Sequence, residues 1–185
     1  MPAFHQPSRR SRQPDGIEHG SYNTPMPSSF ENKFCAPGEL TVRTRLLDRN
    51  RVFTNGVFDV LHRGHVTYLA QARSLGASLI VALNSDASVR RLGKGEDRPI
   101  NQLEDRMAVI ASLECVSLVT WFEEDTPLQR IIEAHPDVLV KGGDWPTDKI
   151  VGGTEVIAWG GSVHSIAFQF ERSTTAMLAK IRVSR

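Results

Sequence analysis

Cysteine is scarce: Cys35 and Cys115 stand far apart, without metal-ligand spacing. That argues against a disulfide scaffold and fits a reducing compartment. An excess of one charge is missing too. The 22 basic and 21 acidic residues leave a formal net charge of +1, so the whole-chain footprint of a nucleic-acid binder is absent and any basic work must be local. No apolar run approaches the ~18 residues of a membrane span, and the N-terminus lacks the apolar stretch of a secretory signal. No internal repeat appears. These absences predict a soluble, cytoplasmic protein with neither a nucleic-acid nor a membrane partner.

What is present supplies one domain. The chain has 185 residues, and 40% of them are apolar, enough for a single buried core. Residues 1–36 hold five of the ten prolines, with Ser, Gln, Arg and Asn and almost no spaced apolar residues, and read as a disordered extension. The boundary is placed at Pro37, so that residues 37–185 form the domain, opened by a short helix over Glu39–Leu47. From Arg51, five apolar runs predict strands: Val52–Thr54, Leu79–Leu83, Val116–Trp121, Val138–Val140 and Val163–Ala167. Between them Val66, Leu69 and Ala70, then Met107, Ile110 and Ala111, then Leu128, Ile131 and Ile132 fall at helical spacing. A last helix opens at Ser173 or Thr174, with Thr174, Met177, Leu178 and Ile181 on one stripe. Strands alternating with helices through short connections predict an α/β, doubly wound parallel sheet.

The chemistry concentrates where the first strand hands over to the first crossover helix, in the run Thr54 to His65. A helix N-terminus carries unpaired N–H groups and partial positive charge, so it attracts phosphate. Gly64 keeps bulk away from the approach path. His62 and His65, three apart, share a face and can direct ring nitrogens at one triphosphate; otherwise they cap or pack. Gly142, Gly143 and Asp144 follow the fourth strand, where a sharp turn and a carboxylate can meet ribose, sugar hydroxyls or metal-bound water, or simply end the strand. Arg172, Ser173 and Thr174 open the last helix, suited to phosphate oxygens and equally to N-capping. Arg90, Arg91, Lys94 and Arg98 surround Gly93 and Gly95 as a basic flap able to fold over a polyanion, with Lys94 the chosen residue. Arg106 is a ligand candidate that also suits an ion pair with Asp105 or Glu104. Asp59 suits orientation of His62 or helix capping, and Trp121, Trp145 and Trp159 suit packing. His135 and His164 carry no partner signal.

Gly56-Val57-Phe58-Asp59 with His62-Arg63-Gly64-His65 resembles the signature of the cytidylyltransferase-like nucleotidyltransferases. Asn84-Ser85-Asp86, Arg98-Pro99-Ile100-Asn101, Asp105-Arg106, Lys141-Gly142-Gly143-Asp144 and Arg172-Ser173-Thr174-Thr175 resemble the bacterial heptose 1-phosphate adenylyltransferases. The resemblance spans residues 51–182 and implies a strand order 3-2-1-4-5, magnesium with ATP as substrate, a sugar phosphate acceptor, pyrophosphate release and a homo-oligomer. It implies ADP-heptose for lipopolysaccharide or related glycans. His62, His65 and Lys94 would be catalytic. Val57, Phe58, Gly64, Asp144, Arg172, Ser173 and Thr174 would bind nucleotide, and Asp59, Arg106 and Lys141 would bind the acceptor. The metal's ligands are not assigned. Phe168-Gln169-Phe170-Glu171-Arg172 departs from the Arg-Thr-x-Gly-Ile run of glycerol phosphate cytidylyltransferases and disfavours CTP. A cytidylyltransferase for a small phosphorylated alcohol and a non-catalytic nucleotide sensor stay as alternatives. A class I aminoacyl-tRNA synthetase would need a longer chain and a tRNA-binding footprint.

Overall fold

A computed structural model describes residues 29–93, 95, 97–170 and 177. The extension before residue 29, Lys94, and the helix expected from Ser173 or Thr174, with Arg172, lie outside the described residues.

Five strands form one parallel sheet in the order β3-β2-β1-β4-β5: β1 (Arg51–Gly56), β2 (Ser78–Asn84), β3 (Leu118–Phe122), β4 (Val138–Gly142) and β5 (Ser162–Ile166). The doubly wound α/β expectation and the implied strand order are both met. Because side chains alternate along a strand, each central strand feeds two cores. Val52, Leu79, Val81, Val119 and Val140 face one side, where α2 (Arg63–Arg73) and α4 (Leu103–Ala111) bring Leu69, Ala72, Met107 and Ile110. Phe53, Ile80, Leu118 and Leu139 face the other, covered by Leu40 of α1 (Leu40–Arg45), Ile131 of α5 (Leu128–Ala134) and Val156 of α6 (Gly153–Ala158). Burying each such side chain contributes roughly 1.5–3 kcal/mol. Among the described residues, no helix is long and apolar enough to cross a membrane.

Several local expectations shift. The arm before Pro37 already belongs to the packed unit: Phe34 pairs with Val119, the Cys35 N–H donates to the Val119 carbonyl at 2.9 Å, and Cys35 is buried. The arm covers the free edge of β3. Two apolar residues amid polar ones give no periodicity to read. In α2, Tyr68, Leu69 and Ala72 face inward, while Val66 and Ala70 are exposed. Tyr68 is admitted because its hydroxyl lies 2.6 Å from Thr54 Oγ1. In α5, Ile131 is buried and Ile132 is exposed. Val116 precedes β3 in a turn, its N–H bonded to the Leu113 carbonyl. Two helices of six residues, α3 (Asp86–Arg91) and α6, had no expectation.

Candidate active site

The order reverses at β1, whose neighbours are β2 on one side and β4 on the other. Ligands of open parallel sheets settle beyond the carboxyl ends of strands at such a reversal. There Asn55 and Lys141, from β1 and β4, meet, with Lys141 Nζ donating to Asn55 Oδ1 at 3.3 Å.

On the α2 side of this crevice, His62 stands at the N-cap in extended conformation, and its carbonyl accepts from the N–H groups of His65 and Val66. Its side chain makes no capping hydrogen bond. The rings of His62 and His65 instead stack at 3.8 Å between centroids, 20° from parallel, and Phe58 meets His65 edge-on at 5.3 Å. Burial first, and the neighbouring His62 second, push the His65 pKa down to about 4. His65 is therefore neutral at physiological pH, with one ring N–H to donate. Its Nδ1 is buried and finds no hydrogen-bond partner among the described residues. Gly64 also has a reason beyond an open approach path. A Cβ there would lie 3.0 Å from His62 Cε1 and 3.3 Å from the Phe170 carbonyl oxygen, where the chain after β5 crosses the turn. Arg63 places its guanidinium 3.9 Å above the Phe170 ring.

Asp59 and Arg106, expected at the acceptor, are engaged inside the protein. The Asp59 carboxylate is fully buried and faces Arg98 rather than His62: it accepts from Arg98 Nε at 2.6 Å and from the N–H groups of Ile100 at 3.0 Å and Asn101 at 2.9 Å. Arg106 donates to the carbonyls of Asn101 at 3.0 Å and Val57 at 2.8 Å, and to Asp86 Oδ1 at 2.7 Å. Its expected partners were Asp105 and Glu104, which stand in the first, exposed turn of α4; burial of Arg106 turns it toward Asp86 instead. The two side chains bind the loop between β1 and α2 to residues 98–101 and so fix the shape of the histidine turn. Arg98 likewise leaves the expected basic flap for the interior. Arg91 binds Asp125 at 2.7 Å and also the Glu123 carbonyl. The intervening Gly93 and Gly95 have φ of 64° and 120°, the region that favours glycine.

On the α5 side, a cavity of about 310 Å³ opens beyond the same strand ends. Its walls include Asn55, Val57, Asn84, Asp125, Lys141 and Trp145. Gly64 and the two histidines do not line it. Gly142 gives room to Phe168, whose ring lies 2.7 Å from where a Cβ would stand, and Gly143 turns at φ 111°. Asp144 is exposed beside them. Asp125 and Lys149 were not singled out in the sequence, having no motif spacing, and Asn55 and Asn84 stood inside motif runs without a role of their own. Trp145, expected to pack, is 52% exposed at the cavity wall. Trp159 does pack, stacking on His135 at 4.2 Å and donating to the Pro136 carbonyl, and Trp121 leans on the core. His164 meets Ser162 Oγ at 3.0 Å.

Comparisons with known proteins identify the family. The Cytidylyltransferase-like family model matches residues 53–177. The chain is 57% identical over 155 residues to the D-beta-D-heptose 1-phosphate adenylyltransferase of Bordetella bronchiseptica, covering 83% of this chain and 96% of that one. It is 58% identical over 132 residues to the bifunctional protein HldE of Hahella chejuensis, of which it spans only 27%. Among solved structures, the lipopolysaccharide core biosynthesis protein of Thermoplasma volcanium superposes with a TM-score of 0.55 at 29% identity, over 68% of this chain and all of that one. Pantothenate synthetase of Thermus thermophilus, at 16% identity and a TM-score of 0.51 over 73% of this chain and 61% of that one, shares the fold. The chain belongs to the cytidylyltransferase-like family of nucleotidyltransferases.

Proposed function

We propose that the protein transfers the adenylyl group of ATP to heptose 1-phosphate, giving ADP-heptose and pyrophosphate. The observation that carries this reading is the stacked imidazole pair at the N-terminus of α2, beside the β1/β4 crevice. Identity of 57% to a heptose 1-phosphate adenylyltransferase over nearly that protein's whole length supports the choice of substrates. An oxygen of the sugar phosphate attacks the α-phosphorus of ATP, the bond to the bridging oxygen breaks, and pyrophosphate departs in line. A phosphate monoester with its second pKa near ~6 is largely dianionic at neutral pH, so the nucleophile needs no base. The protein's task is alignment and stabilisation of charge on the transferring and leaving oxygens.

His62 and His65 donate ring N–H bonds to the triphosphate. Gly64 and the backbone of Val57 and Phe58 border the nucleotide. Lys94 from the flap neutralises the departing pyrophosphate, Arg172, Ser173 and Thr174 hold the nucleotide, and Lys141 meets the acceptor phosphate. Asp59 and Arg106 act as positioning residues for the turn. Among the described residues, no three side chains are placed to hold a metal by themselves. Magnesium binds through one or two carboxylates plus substrate phosphates. Asp144 is the carboxylate suited to it, and the ion would supply charge neutralisation on the phosphates. The product is an activated sugar, the donor for a later glycosyl transfer, and we place its synthesis in the cytoplasm, in a homo-oligomer.

The test is pyrophosphate release with ATP and CTP across a panel of phosphorylated sugars and alcohols. ATP with heptose 1-phosphate is expected to be the best pair. Preference for CTP with glycerol phosphate, or nucleotide binding without turnover on any acceptor, would overturn the reading.

A further inference from the structure

The two walls of the crevice belong to different faces of the sheet. His65 packs on Phe58, which joins the core under α2 and α4, whereas Phe122 and Ile150 at the cavity join the core under α5 and α6. An in-line displacement needs nucleophile and leaving group on opposite sides of the phosphorus. With pyrophosphate at the histidine turn, the acceptor enters from the α5 side, into a cavity whose volume is that of a small ligand site.

Within that cavity Trp145 stands apart from ordinary packing. Its backbone N–H donates to Ser165 Oγ at 3.0 Å, and Ser165 Oγ in turn donates to the Gly143 carbonyl at 2.6 Å. The indole rests so closely on Gly143 that a Cβ there would lie 2.9 Å from Nε1. A large aromatic ring is thus braced from behind, fixed through its backbone, and left half exposed on a wall that also carries Lys141, Lys149 and Asp125. Two ammonium groups suit a phosphate, and a carboxylate with a flat apolar face suits a hydroxylated ring whose C–H faces pack on aromatics.

Resting on the transfer reaction above, we propose that Trp145 and Lys149 determine acceptor specificity: the indole is the platform for the sugar ring, and Lys149 joins Lys141 on its phosphate. Asp125, held by Arg91, accepts from a sugar hydroxyl.

Steady-state kinetics and intrinsic fluorescence test this. Trp145→Ala should raise the KM for heptose 1-phosphate by about tenfold or more while leaving the KM for ATP within about twofold, and Trp145→Phe should restore most of the loss. Lys149→Gln should raise the same KM, again without moving that for ATP. Heptose 1-phosphate added without ATP should quench the fluorescence of the wild-type protein and not that of Trp145→Ala, in which Trp121 and Trp159 remain. A wild-type enzyme that turns over, with a sugar-phosphate KM unchanged in Trp145→Ala, overturns the platform alone. Quenching through Trp145 by heptose 1-phosphate that is never adenylylated keeps the platform and overturns the proposed reaction. Neither turnover nor quenching overturns both.

Discussion

Replacing Asp59 by Asn separates two roles that a buried carboxylate beside the histidine turn can have. Asp59 Oδ2 accepts from Arg98 Nε at 2.6 Å and from the Ile100 N–H at 3.0 Å, while Oδ1 accepts from the Asn101 N–H at 2.9 Å. An amide keeps only one acceptor oxygen, so its NH2 must face a donor, and the buried Arg98 guanidinium loses its counter-charge. Breaking a buried pair by removing one partner costs about 3–5 kcal/mol. In a domain of this size about 1 kcal/mol moves the Tm by 2–4 °C, so Asp59→Asn should melt about 6–20 °C lower than the wild type. Calorimetry or a thermal melt followed by circular dichroism reads the shift directly. The double variant Asp59→Asn, Arg98→Met should lose less than the sum of the two single changes, by about 0.5–3 kcal/mol, because the singles remove the same bond. A Tm within ~2 °C of wild type together with abolished pyrophosphate release would refute this reasoning. The carboxylate would then act on substrate, as its place in the motif first implied, and not on the loop.

His65→Ala should lower turnover by roughly 10²–10³ with little change in the KM for ATP, since donors that strengthen at the transition state act there; unchanged turnover would remove His65 from the mechanism. The depressed pKa of His65, about 4 against an ordinary 6.5, has a stability consequence with a definite sign. Below pH 6.5 the unfolded chain takes up a proton that the folded, ligand-free chain refuses until about pH 4. The stabilisation from this group is complete above pH 6.5 and declines as the pH falls from there toward 4. Urea unfolding at several pH values should show that slope, and His65→Gln should flatten it. Gly64→Ala should leave the melting temperature close to wild type, because Ala is favoured over Gly by up to about 1 kcal/mol inside a helix. Activity should nevertheless fall at least about tenfold, as the new methyl, 3.0 Å from His62 Cε1, shifts a ring that must be placed within an ångström. Equal losses of stability and activity would contradict that account.

Elements long enough to carry a period were legible in the chain. The five strand cores and the helices α2, α4 and α5 could be read from apolar spacing, because a two-faced sheet demands continuous apolar strands and its crossovers demand amphipathic helices. The histidine turn was legible for a related reason, since strand, glycine, imidazoles and helix follow one another in sequence. α3 and α6 show no apolar stripe in the sequence, and the Phe34–Cys35 arm found its place only by pairing with β3, where Phe34 meets Val119, 85 positions further on.

Sequence alone determined the α/β class, the position of the histidine turn and the residue types that form it, because each depends on neighbours a few positions away. Tertiary structure decided what those neighbours could not. It brought Arg98 and Asn101 to Asp59, and Asp86 to Arg106, turning two motif residues into braces. It moved Trp145 from the expected core to the wall of a cavity, and it lowered the His65 pKa by burial and by the ring stacked on it. Burial, and the meeting of side chains far apart along the chain, exist only once the sheet has assembled, and no local pattern of residues encodes them.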